Sequence, residues 1–228
     1  MRIWKPGEDG LQPLVARAKP DAVLVRNLAS IDYFRDALPE AELIGDFSLN
    51  VANDLTADLL LRAGLTRLVP SFDLNWDQFT ALLNESDPLK FEAVVHQHMP
   101  MFHMEHCVFA AFLSTGKDHR DCGRPCDTHR VELKDRTGAQ FPVLPDTGCR
   151  NTVFNSVAQS AAEYIDRMKT NGLRWFRIDL LRETPEQVGP LLEQYRRVLA
   201  GDDDGRATWK NLKVLNQLGV TRGTLQMV

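Results

Sequence analysis

Through the first half of the chain, short apolar runs alternate with amphipathic stretches, and this alternation limits the fold more than any other feature. Ala22–Arg26, Glu42–Asp46, Arg67–Ser71 and Phe91–His96 read as strands. Between them, residues near 29–37, 53–64 and 76–84 carry helical spacing. Leu55, Leu59, Leu60 and Leu61 with Ala63, closed by Gly64, make the clearest of these helices. Strands that alternate with helices imply βα units and a parallel sheet.

The pattern breaks after residue 98. Residues 99–128 show no clean period and read as an ordered loop or short irregular helices. Arg130–Lys134 and Phe141–Leu144, joined through Asp135-Arg-Thr-Gly138, read as a hairpin. A long helix is predicted over 153–170, capped by Asn151 or Thr152 and stopped by Gly172. Arg174–Asp179 reads as a further strand, and Thr184-Pro-Glu-Gln187 opens a helix that runs to Leu199.

The expected class is therefore α/β: a partial TIM-type barrel of βα units with an inserted Cys/His-rich loop and a β-hairpin. Residues 1–200 form the barrel domain in this reading, with the insertion at 99–150, and 201–228 form a C-terminal loop and short helix. A closed barrel of this type needs eight parallel strands, and five are found. The open edges predict a homo- or hetero-oligomer that completes the barrel. Polar groups gather at the carboxyl ends of the predicted strands: Arg26 and Asn27, Asp46 and Asn50, Ser71 and Asp73, His96 and His98, Arg177 and Asp179. That face carries the active site in βα barrels, which makes Asp46 a substrate-binding candidate, although strand ends that meet solvent are polar anyway.

Composition adds exclusions. The charge is −4, from 27 basic and 31 acidic side chains, which gives no global case for nucleic-acid binding. The start, Met1-Arg-Ile-Trp-Lys-Pro6, has no apolar signal core, and no run is long enough to span a bilayer. A cytoplasmic protein without membrane contact is expected. All 4 cysteines and all 6 histidines lie between His96 and Cys149. In a reducing compartment, clustered cysteines read as metal or cluster ligands before disulfides.

The thiol spacing is Cys107-x14-Cys122-x3-Cys126-x22-Cys149. Four thiolates can close a zinc site or hold an iron–sulfur cluster, and buried inert thiols are the alternative. Only one close pair exists, which suits a cluster seated in a preformed fold better than a zinc finger. The predicted helix at 153–170 would place Cys149 near a helix start. His98, His103 and His106 can complete a zinc site, act as general bases or bond to backbone, and Glu105 is a candidate acid or base. His103 and His106 would share a face if the backbone is helical there. His103-Met-Glu-His106 lacks the His-Glu-x-x-His spacing of metalloproteases. Arg120, Arg124 and Arg150 flank the cysteines and are the candidates for an anionic substrate, although nearby carboxylates nearly cancel the local charge.

His96-Gln-His-Met-Pro100, Met104–Ser114, Asp121-Cys-Gly-Arg-Pro-Cys126 and Gly148–Asn155 resemble the collagenase-like peptidase family U32, as do Ile44–Asn50 and Pro70–Asn75 upstream. The resemblance covers most of the chain. It implies a barrel of βα units and, for the later part of it, a fragment or a natural half. Some members are described as collagenase-like proteases without agreed catalytic residues. Others carry a four-iron four-sulfur cluster on four cysteines and support oxygen-independent or prephenate-dependent hydroxylation of transfer RNA, ribosomal RNA or a quinone precursor.

By position, Cys107, Cys122 and Cys149 fall on cluster cysteines of one subgroup, and Cys122 with Cys126 matches the close pair of another. A further cysteine expected before Cys107 is replaced by Pro100, so Cys126 or His103 takes the fourth place. The resemblance thus implies an iron–sulfur protein acting in hydroxylation of RNA or a small aromatic precursor. In it Cys107, Cys122, Cys126 and Cys149 hold the cluster, His98, His103 and Glu105 stand in the catalytic pocket, and Arg120, Arg124, Arg150 and Asp46 contact substrate. The alternatives are a metal-dependent collagenase-like protease, and a non-catalytic partner subunit with structural zinc or cluster.

Overall fold

The computed structural model describes residues 2–215 and 220–221. The chain is mixed α/β. It runs α1 (Leu11–Arg17), β1 (Ala22–Val25), α2 (Ala29–Ala37), β2 (Glu42–Gly45), α3 (Asp54–Arg62), β3 (Arg67–Leu68), α4 (Trp76–Asn84) and β4 (Glu92–Gln97). The insertion follows as β5 (Pro100–Met104), α5 (Val108–Leu113), β6 (Val131–Lys134), β7 (Gln140–Asp146) and β8 (Arg150–Phe154). Then come β9 (Ala158–Ser160), α6 (Ile165–Thr170), β10 (Trp175–Ile178), α7 (Pro185–Ala200), α8 (Gly205–Leu215) and β11 (Val220–Thr221).

Among the described residues the strands form three sheets. The first is parallel, in the order β1-β2-β3. A parallel bridge between Leu68 and Phe91 then links β3 to the start of β4. The second sheet has the order β10-β4-β9-β11, with β10 parallel to β4 and β9 antiparallel to it. The third is the antiparallel insertion, β5-β8-β7-β6. The five predicted parallel strands and the hairpin are therefore present, and they are divided between sheets rather than closed in one ring.

The predicted helices form where local signals agree. Asn53 accepts the Thr56 N–H at 2.9 Å and starts α3, and Asn75 with Gln78 makes a reciprocal capping box on α4. Their apolar faces, Ala57 and Leu60, then Phe79, Leu82 and Leu83, enter the main core with Leu43, Leu68, Phe91 and Val95. Leu55 and Leu59, counted toward the α3 signal, face solvent instead. The insertion has a small core of its own, Val108, Phe109, Val143 and Val153. None of the described helices is long and apolar enough to cross a membrane. Of the predicted C-terminal segment, 201–215 forms a loop and α8, while 216–219 and 222–228 lie outside the described residues.

The helix predicted over 153–170 is not formed as one element. Its first part is β8 and β9, and only Ile165–Thr170 is α-helical after a short 3-10 turn. Thr152 and Val153 are β-branched and lie between β5 and β7, so strand pairing on both sides prevails over the helical reading. Asn151 does cap a helix, but a different one. It is fully buried, and its Oδ1 accepts the Val108 N–H at the start of α5 at 2.6 Å. Cys149 thus precedes a strand, and the expected helix start beside it is absent. His103 lies on β5, so it shares no helical face with His106.

Replacing Asn151 by Ala strands the buried Val108 N–H. The expected loss of stability is about 1–3 kcal/mol, measured by urea denaturation. An unchanged midpoint would show that this bond does not hold α5.

Candidate functional site

The polar strand ends meet around one side chain. Arg177 on β10 donates to Asp46 after β2 (3.0 Å), to Glu92 on β4 (3.0 Å) and to Asp179 (2.8 Å). Arg26, just past β1, donates to the other Asp46 oxygen at 2.8 Å. Arg67 on β3 takes the other Glu92 oxygen at 3.2 Å and lies 3.9 Å over the Trp175 ring. Asp46 is 1% exposed, so its charge is held by these two arginines rather than by water. The remaining strand-end groups bond locally: Asn27 caps Ser30, and Ser71 approaches Asp73 at 3.5 Å.

Above these strand ends lies the edge of the insertion. Phe47 stacks on Phe72 at 4.3 Å, and both Arg2 and Arg26 lie over the Phe47 ring. His98 is buried, and its Nδ1 donates to the Asn155 carbonyl at 2.9 Å, which leaves Nε2 as the acceptor. Burial pushes His98 below the usual histidine range, although the bond to Asn155 and the Glu183 charge pull the other way. His103 meets Thr152 Oγ1 through Nδ1 at 2.9 Å, while its buried Nε2 has no partner among the described residues. Burial and then the Arg2 charge push His103 down as well, so both imidazoles are neutral near pH 7.

Glu105 and Arg150 are joined to the start of the chain. Arg150 is 2% exposed and donates to Glu105 (2.9 Å), Glu8 (2.8 Å) and the Thr147 carbonyl (3.2 Å). Lys5 bonds Glu105 from the other side, and this contact leads in holding the Glu105 carboxyl below its usual range. Gly148 has φ +74°, and a Cβ there would stand 2.6 Å from Arg150 Nη1 and 2.7 Å from Glu8 Oε1. Only glycine leaves room for this clamp.

Three cysteines share one neighbourhood. Cys107 caps α5, and its Sγ accepts the Ala110 N–H at 3.4 Å. Cys122 Sγ accepts the Arg124 N–H at 3.4 Å. Cys126 and Cys107 lie against the small insertion core. Burial first, then Asp127, and then the two neighbouring thiols push the Cys126 thiol up. The loop before them closes tightly, because a Cβ at Gly116 would meet the Asp121 carbonyl oxygen at 2.3 Å. Cys149 has its Sγ 3.8 Å from Nδ1 of His119, three residues before Cys122. Among the described residues no three His, Cys, Asp or Glu side chains converge on one point as metal ligands. Arg120 is paired with Asp118 at 2.5 Å and Arg124 with Asp127 at 3.1 Å, both on the exposed loop beside the cysteines.

A family model described as Peptidase family U32 matches residues 9–221. The chain belongs to peptidase family U32. Comparison with curated proteins and with solved structures found no match.

In this U32 chain the quoted motifs occupy two places. His98, Asp46 and His103 stand at or near the strand ends, whereas Cys107, Cys122, Cys126, Arg120 and Arg124 lie in the outer loops of the insertion. Glu105 and Arg150 connect the insertion to the chain start. The sequence gives no local sign of Arg2 over Phe47, nor of Lys5 and Glu8, whose partners Glu105 and Arg150 lie 100 and 142 positions away. Nor does it show the buried relay behind His96. Ser160 Oγ lies 2.6 Å from Tyr195 Oη, Tyr195 Oη 3.2 Å from His96 Nδ1, and His96 Nε2 3.3 Å from Glu183. A polar residue shortly after a strand end was the available signal for Glu183.

Burial pushes the Glu183 carboxyl up, but the bonds from His96 and from the Leu181 N–H (2.7 Å) prevail and hold it at about 2. Its ordinary value is 4.5, so the stabilisation is complete above that pH and is lost as the pH falls toward 2. Glu183→Gln should therefore cost on the order of 2 kcal/mol at neutral pH. Chemical denaturation across pH should show this gap closing in acid. A gap that stays constant with pH would mean that the carboxylate charge is not what stabilises.

Proposed function

We propose that this U32 chain binds an iron–sulfur cluster and acts in hydroxylation of an RNA or a small aromatic precursor. The observation that carries the reading is the placement of Cys107 and Cys126 against one small core, with Cys122 on the loop next to Cys126 and backbone N–H groups directed at two of the sulfurs. A soft metal is bound by the thiolate form of cysteine. Cys149, beside His119, is the fourth ligand in this reading, and zinc is the alternative occupant. When bound, a four-iron four-sulfur cluster supplies one-electron redox chemistry.

The chain's own residues supply the rest. His98 offers Nε2 as a proton acceptor, and His103 carries a buried Nε2 with no partner among the described residues. Glu105 holds Arg150, and through it the turn that carries Cys149. Asp46, Arg120, Arg124 and Arg150 are the substrate-side candidates. The five parallel strands act as part of a barrel, whose edges at β1 and β10 carry exposed Leu24 and Trp175. A second copy or another chain completes it there.

Protein prepared without oxygen should be brown and carry roughly four irons per chain. Replacing Cys107, Cys122 or Cys126 by Ser should each remove most of the iron. A colourless protein holding one zinc would overturn the redox reading. The peptidase reading has one favourable contact, the Cys149 thiol beside the His119 imidazole. Peptide cleavage that survives Ser at all four cysteine positions would favour a hydrolase that does not use them.

A further inference from the structure

We propose that Arg2, Arg26 and His103 Nε2 form a subsite for a compact oxyanion, a carboxylate or phosphate group of the ligand. The inference rests on the reading above only for placing the substrate in the strand-end mouth. The binding itself stands on these residues.

Two guanidiniums lie over one ring, Arg2 at 5.1 Å and Arg26 at 5.9 Å from the Phe47 centroid. Arg26 is committed to Asp46. Arg2 has no ion pair or hydrogen bond from its guanidinium to any described residue, and it is half-buried. A desolvated guanidinium beside a second one is normally paired with an anion. Burial first, and then Arg26, push its pKa down, while Asp46 and Asp146 pull it back.

His103 adds an independent observation. Its side chain is 7% exposed, and its Nε2 is buried with no partner. When Thr152 donates to Nδ1, the ring proton sits on Nε2, which is then a donor without an acceptor. The Arg2 charge is among those that act on this ring, and Asp146, 4.0 Å from His103, also acts on Arg2. The carboxylates nearby do not fill the role. Asp46 already serves Arg26 and Arg177, and Asp146 accepts the Thr147 N–H at 2.7 Å and stands 4.0 Å from His103 on the Nδ1 side. An oxyanion between them would take the forked N–H groups of Arg2 and the Nε2 proton together.

The test is titration of the full chain with inorganic phosphate and, separately, malonate, followed by calorimetry and by the ring-nitrogen NMR signals of His103. At least one anion should bind and shift the Nε2 signal. Arg2→Gln should weaken binding tenfold or more, His103→Gln should weaken it severalfold, and Arg17→Gln, on exposed α1, should leave it unchanged. A preference for phosphate points to a nucleotide or nucleic-acid group, and a preference for malonate to a carboxylated small molecule. The subsite is overturned if neither anion binds, or if Arg2→Gln binds as wild type does. Repeating the titration with all four cysteines changed to Ser separates the two readings. Anion binding without iron keeps the subsite when the cluster fails, and iron without anion binding does the reverse.

Discussion

The Arg177 guanidinium is the contact on which the arrangement of the strands depends. β10 and β2 belong to different hydrogen-bonded sheets, so no ladder sets their relation. Arg177 does so by reaching Asp46 after β2 while also holding Glu92 on β4. Each of these carboxylates takes a second arginine, Arg26 from the β1 end and Arg67 from β3. Five strands are thereby joined through two acidic groups. Burial works against the Arg177 charge, yet Asp179 and Asp46 prevail and raise its pKa. A hydrophobic core would hold the same strands with similar free energy. It would not fix their facing direction as the planar fork of an arginine does.

A second buried arginine does the corresponding work for the insertion. Arg150 opens β8, and its partners lie on β7's end, after β5 and before α1. The insertion has only a few core residues, so burial alone gives it little to lock against the rest of the molecule. The clamp supplies the missing constraint, and the left-handed Gly148 beside it is the backbone condition for its closure.

How much of this was legible follows from the range of each interaction. The βα alternation, the helices at 29–37, 54–62 and 76–84, and the hairpin rest on periodicity and caps within a few residues, and they form. The helix predicted over 153–170 does not form as one element because Asn151 and Thr152 belong to β8 and do not cap a following helix. Asn151 instead caps α5, 43 positions earlier in the chain, which no local rule detects. The cysteine set is visible as composition, and two of its members, Cys107 and Cys126, lie against one core. The relation of Cys149 to His119, the relay from Ser160 to Glu183 and the role of Lys5 and Glu8 are long-range contacts, and a single sequence carries no spacing signal for them.

The chain start gives these parts a common dependence. Lys5 and Glu8 hold Glu105 and Arg150, which lie two residues before Cys107 and one after Cys149. Arg2, a few residues earlier, lies over Phe47 at the strand ends and acts on His103. One short segment therefore touches the turns that carry two cysteines and the mouth that carries the histidines. Shifting the segment by the length of one side chain would open the clamp and withdraw a charge from the mouth together. The loops of the insertion and the parallel strands have separate cores. The ionic strap ties the two, and the Arg182–Glu132 pair joins β6 to the loop after β10.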